Sequence, residues 1–113
     1  ARRRDRATRR AVMTARANDA LGWVLVKRRE YDQALVHLAA ATEAPLADAE
    51  FNSRLWHLGI AKLESGSERE ALDVLIRAYQ PTSPAATRQR GIIQSLYVKL
   101  NGSDAGLDRR LGR

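Results

Sequence analysis

A 37-residue self-similarity runs through the middle of this chain. Leu21-Gly22 is followed thirteen residues later by Ala34-Leu35 and then by Leu38 and Ala41; Leu58-Gly59 is followed thirteen residues later by Ala71-Leu72, Leu75 and Ala78. A fixed period of this length is the signature of stacked supersecondary units, each of which buries its apolar face only against a neighbour. Apolar residues recur within each unit at spacings of three and four, which places them on one face of a helix.

The breakers and caps divide the chain further. Ala7 to Lys27 contains no Pro and only Gly22, so a long first helix is expected there. Six arginines precede it or open it, and they repel one another at the positive end of the helix dipole. Fraying is therefore expected before about Arg9, with residues 1–9 an Arg-rich flexible segment and 10–113 one helical domain. Tyr31, Ala34, Leu35, Leu38 and Ala41 give a second helix ending near Ala44-Pro45, and Asp48 or a neighbour caps a third through Leu55, Leu58, Ala61 and Leu63 to Ser65-Gly66. Ser67-Glu68-Arg69-Glu70 reads as a capping box opening a fourth helix, which Pro81-Thr82-Ser83-Pro84 stops. A fifth runs from about Pro84 through Ile92, Ile93, Leu96 and Leu100 to Asn101-Gly102; Ser103 or Asp104 caps a short sixth through Leu107 and Leu111. Three prolines, seven glycines and an abundance of Ala and Leu make six helices in three antiparallel pairs the expectation, with no sheet.

These residues resemble the tetratricopeptide repeat, a helix-turn-helix unit of about 34 residues with Leu-Gly in its first helix, Ala-x3-Phe in its second and Pro after it. Leu21, Gly22, Tyr31, Ala34, Leu38, Ala41 and Pro45 match in a first unit over about 15–45. Leu55, Leu58, Gly59, Gly66, Ala71, Leu75, Ala78 and Pro81 match in a second over about 48–81. Small Gly22, Ala34, Gly59 and Ala71 would let paired helices approach while the leucines fill the layer between units. Arg29 departs from the usual turn glycine and Lys62 from a common large aromatic. The unit over about 84–112 is degenerate; Gly102-Ser103 echoes Gly66-Ser67, and a capping role fits a terminal repeat.

The resemblance implies an all-α fold of antiparallel helix pairs stacked as a short right-handed solenoid, bacterial in type. It also implies a concave face lined by the first helix of each unit, where Arg16, Asp19, Trp23 and Lys27 would lie beside Ser53, Trp56, Ile60 and Glu64. Trp23 and Trp56 are either anchors for a bound peptide or rings buried between units. The Lys, Asn and Arg clamp that holds a carboxyl terminus in some members is not reproduced, which argues against a chaperone-tail ligand. The segment 96–107 looks like a helix-loop of bacterial secreted or periplasmic repeat proteins, and favours that setting over the cytoplasm.

Charge separates two functions. Of the net +7, residues 1–10 hold +5, from Arg2, Arg3, Arg4, Arg6, Arg9 and Arg10 against Asp5, while residues 11–100 hold only +1. A near-neutral body favours a protein or peptide partner over nucleic acid, and makes the arginines a linker or a tail for an acidic partner. The alternative is nucleic-acid or anionic-surface binding through that tail. A purely structural subunit, with both ends as docking surfaces, is the third reading. Enzyme signatures are missing: there is no phosphate loop, no His-Glu-x-x-His, no nucleophile elbow and no Cys. His37 and His57 lie on separate helices and read as surface or groove side chains rather than metal ligands. Glu64, Glu68, Glu70 and Asp73 read as a solvated face paired with Arg69 and Arg77. No cofactor is implied, no apolar run would cross a bilayer, and the opening Ala1-Arg2-Arg3-Arg4 reads as a piece of something longer.

Overall fold

The computed structural model describes residues 2–43 and 50–112. Six helices follow one another: α1 (Arg2–Lys27), α2 (Tyr31–Ala41), α3 (Phe51–Glu64), α4 (Glu68–Ala78), α5 (Ala86–Asn101) and α6 (Leu107–Arg110), with no strand among the described residues. Turns of three residues join α1 to α2 and α3 to α4, short enough to fold each pair back on itself. α1 packs along α2 and α3 along α4, with α2 on α3 and α4 on α5 linking the pairs and a smaller contact of α1 with α3. The third unit is not a full pair, because α6 is a single turn of four residues. Pro45 as the stop of the second helix and Asp48 as a cap lie outside the described residues.

The 37-residue period returns as repeated devices in space. A Cβ placed on Gly22 would stand 2.6 Å from Leu38 Cγ, and one on Gly59 would stand 2.5 Å from Leu75 Cδ2. Those two glycines are therefore the points where paired helices touch, and Ala34 and Ala71 beside them are fully buried. Both first helices also end alike. The amides of Arg29 and Glu30 bond to the carbonyls of Val26 and Leu25, and those of Gly66 and Ser67 to Leu63 and Lys62. This is the Schellman pattern, which needs a left-handed residue just past the helix. Gly66 supplies it at φ 97° and Arg29 at φ 62°, so the departure from glycine at position 29 leaves the turn in place but strains it by about 1 kcal/mol or more.

The same turn explains why the expected capping box does not form. Ser67 does precede α4, but its side chain makes no cap bond and its amide is already held by Lys62. Glu70 accepts instead from Lys62 Nζ at 3.1 Å. The acidic cluster likewise pairs across helices rather than with Arg69 and Arg77: Glu68 with Lys99 at 2.5 Å and Asp73 with Arg110 at 3.1 Å. α1 begins at Arg2, five residues before the expected Ala7, so residues 2–9 are helical. Arg is among the better helix formers, and Asp5 in the first turn offsets part of the unfavourable charge at the helix start. α5 starts at Ala86 rather than Pro84, because Ser83 Oγ accepts the Ala85 amide in a turn first.

One core passes through all three units, from Leu25, Val26 and Leu38 through Leu55, Leu58, Leu72 and Leu75 to Ile93, Leu96, Leu107 and Leu111. α3 is its axis: Arg54, Leu55, Trp56, Leu58, Gly59 and Ala61 are all buried, which leaves that helix covered on most of its circumference. Arg54, at 2% exposure, is the buried charge of the core, and it donates from Nε to the Ala41 carbonyl at 2.9 Å. That carbonyl belongs to the last turn of α2, where helix geometry leaves it without an intrahelical partner. Leu21 departs from expectation. Its repeat counterpart Leu58 is buried, whereas Leu21 faces outward on α1.

Candidate functional site

Asp19, Trp23 and Lys27 recur every four residues on α1 and so form one line of side chains. The line meets α3 at His57. His57 Nδ1 lies 2.9 and 3.0 Å from the two carboxylate oxygens of Asp19, the Trp23 ring stacks on the imidazole with centroids 4.3 Å apart and planes inclined by 24°, and Lys27 Nζ sits 5.0 Å from the Trp23 centroid. A carboxylate, an imidazole, an indole and an ammonium thus stand in sequence across two helices. Each ring is partly exposed beside its stacked neighbour, and each charge is partly spent on a neighbour. Cation–π contact of this kind is worth about 0.5 to 1 kcal/mol at an exposed site.

Beyond His57 the surface continues into a cleft of about 270 Å³. Asn52, Ser53, Trp56 and His57 form its α3 wall; Gln80, Ser83, Ala85, Arg88 and Gln89 close it from the α4 to α5 connection and the start of α5. Asn52 is fixed there by donating to the Ala78 carbonyl at 3.1 Å. The lining is mostly polar, and Arg88 brings the cleft a cation. A second groove, of about 600 Å³ and more apolar, lies between Leu63, Ile92 and Leu96, with Gly91 on its rim.

The expected site residues divide. Asp19, Trp23 and Lys27 come together as described, Ser53 is exposed at the cleft edge, and Ile60 is half-buried against the core about two turns further along α3. Arg16 is exposed and paired with Glu50 at 2.9 Å, and Glu64 is exposed at the end of α3. The two tryptophans are not equivalent. Trp23 is half-buried on the surface, but Trp56 is a core ring at 7% exposure whose edge reaches the cleft. Their separation of 33 residues, against a repeat of 37, already offsets them by one helical turn. His57, which the sequence reads as a surface or groove side chain, completes the line although it stands outside the expected site residues; its place four after Ser53 and three before Ile60 puts it on the same stripe of α3. His37 is also paired, to Asn18 at 3.0 Å.

The arginines Arg2, Arg3, Arg4, Arg6, Arg9 and Arg10 are all exposed along the first turns of α1. At the other end, Arg90 donates to Asp108 and its guanidinium pKa is raised by that hydrogen bond. Among the described residues no group of three or more His, Asp or Glu side chains could hold a metal ion, and no helix is long and apolar enough to cross a membrane. Compared with known proteins, the chain matches no family model, no curated protein and no solved structure.

Proposed function

We propose that this chain is a non-catalytic interaction module of the tetratricopeptide-repeat type, binding a protein or peptide partner along the surface that α1 and α3 share. The observation that carries the reading is the run Lys27, Trp23, His57, Asp19, set on the first helices of two successive units and continuing into the cleft beside Ser53 and Arg88. An aromatic platform flanked by one cation and one anion suits a peptide that contributes a ring or an aliphatic side chain together with a charge. Two units built on the same glycine seam and the same Schellman turn support the repeat reading of the scaffold. The test is affinity capture from the native source with the intact protein and a Trp23→Ala variant side by side. A genuine groove ligand is retained by the first and lost by the second, with about 2 kcal/mol of affinity at stake. A partner held equally by both would move the binding surface elsewhere.

A second reading has its own observation, the six exposed arginines on one helix. Such a helix would hold a phosphate-bearing surface mainly through counterion release, so binding would fall steeply as salt rises. The near-neutral body ranks it second.

A further inference from the structure

α1 has two apolar faces. Ala15, Gly22, Leu25 and Val26 are buried against the rest of the molecule, while Met13, Leu21 and Val24 are 67, 47 and 53% exposed on the other side, with Ala17 and Ala20 exposed between them. Met13, Ala17, Leu21 and Val24 follow at spacings of four, four and three, a continuous outward stripe. Arg6 and Arg10 extend the same line at one end and Arg28 at the other.

The internal repeat shows what such a face is for. Adding 37 to Ala17, Leu21 and Val24 gives Arg54, Leu58 and Ala61 on α3, which are 2, 7 and 0% exposed. There α2 of the unit before packs on α3, and Arg54 takes the Ala41 carbonyl at the end of α2. α2 is an apolar helix with acidic residues at both ends, Glu30 and Asp32 at its start and Glu43 just past its finish. Over Ala17, Leu21 and Val24 the outer stripe of α1 corresponds to this surface without its cover, and Arg10 and Arg28 lie beyond its two ends, where the acids of such a helix would fall. From this we infer that the outer face of α1 docks an amphipathic helix with acidic ends, of the same kind as α2. A second copy of this chain fits poorly, because two α1 helices laid face to face set Arg6 and Arg10 against Arg28 when antiparallel, and the two arginine blocks against each other when parallel. This surface lies on the far side of α1 from Gly22 and is independent of the groove at Trp23.

The probe is a fluorescein-labelled peptide with the sequence of residues 30–43, titrated with the whole protein and followed by fluorescence anisotropy. Saturable binding is expected, weakened about tenfold or more by Leu21→Asp, which puts a charge into an apolar contact, and weakened by salt. Leu21 is exposed, so the variant should keep the wild-type circular dichroism; Leu21→Ser, a milder change, should weaken binding in the same direction. Trp23→Ala should leave this peptide unaffected, which separates the two surfaces. Amide chemical shifts should move at Met13, Ala17, Leu21 and Val24. Four results overturn the inference: no saturation up to about 1 mM peptide; equal binding by Leu21→Asp; shifts confined to Gly22 and Leu25, meaning the peptide displaces α2; or a dimer of the unliganded protein that Leu21→Asp dissolves, which would make the occupant a second copy.

Discussion

Three glycines lie inside helices, and replacing each by Ala gives three different outcomes for one chemical change. Intrinsic helix propensity favours Ala over Gly by about 0.8 to 1 kcal/mol at any of them. What differs is the space a methyl would enter. At Gly91 in α5 nothing lies within 4 Å of the added Cβ and the residue is exposed, so the propensity gain stands alone and Gly91→Ala should stabilise by about 0.5 to 1 kcal/mol. At Gly59 the Cβ would meet Leu75 Cδ2 at 2.5 Å and Leu75 Cγ at 2.8 Å, and Leu75 is fully buried with nowhere to swing. At Gly22 it would meet Leu38 Cγ at 2.6 Å and the Leu38 amide nitrogen at 3.2 Å, so backbone as well as side chain must move. Forcing a methyl into a packed seam costs about 1 to 3 kcal/mol. Since the propensity gain is common to all three, the difference between Gly59→Ala and Gly91→Ala isolates that packing cost. Urea denaturation gives it directly, as a lower midpoint for the seam variants and a higher one for Gly91→Ala, with the slope unchanged. If Gly22→Ala, Gly59→Ala and Gly91→Ala all shifted the midpoint equally, the close approach of the paired helices would be wrong.

Other substitutions test other links. Arg29→Gly should raise stability by about 1 kcal/mol, because the left-handed turn after α1 is kept while the side-chain clash is removed; a fall in denaturation midpoint would show that the Arg29 side chain contributes more than it strains. Trp56→Ala should cost about 3 to 5 kcal/mol of folding stability and Trp23→Ala distinctly less, since only the first leaves a cavity in the core; equal losses in a thermal melt would contradict the separation of the two rings. Removing residues 1–9 should shorten α1 without lowering the midpoint, because every described side chain there except Thr8 is exposed, and any salt-sensitive binding of phosphate polymers should go with it.

What the sequence made legible was local and periodic. The Gly22 and Gly59 contacts follow from a small residue at a fixed phase relative to the leucines thirteen to sixteen positions on, and the turn at Arg29 and Gly66 follows from the same phase. Partners chosen by tertiary packing were not legible. Ser67 and Glu70 have the spacing of a capping box, but the preceding helix already claims the Ser67 amide and Lys62 is nearer to Glu70. Glu68 and Asp73 found Lys99 and Arg110, more than thirty residues away, in preference to neighbours on their own helix. The site was half legible: the Asp19, Trp23, Lys27 line could be read from its four-residue spacing, whereas its closure by His57 required knowing how far α3 lies from α1.

Leu21 shows why a repeat pattern underdetermines its own ends. Position 21 and position 58 carry the same residue in the same phase, and nothing in the period distinguishes them. Burial is decided by the unit that stands before each one, and only Leu58 has such a unit in the structure. At about 25 cal/mol per Å² of apolar area, exposed Leu21 and Val24 forgo stabilisation that their counterparts Leu58 and Ala61 collect on α3. An outward position that needs no cover can be polar, as Asp73 is on the outer side of α4 at the place corresponding to exposed Val36 on α2. Apolar side chains at Leu21 and Val24, between arginines at both ends of the same line, are therefore better explained by a docked helix than by the needs of this fold alone.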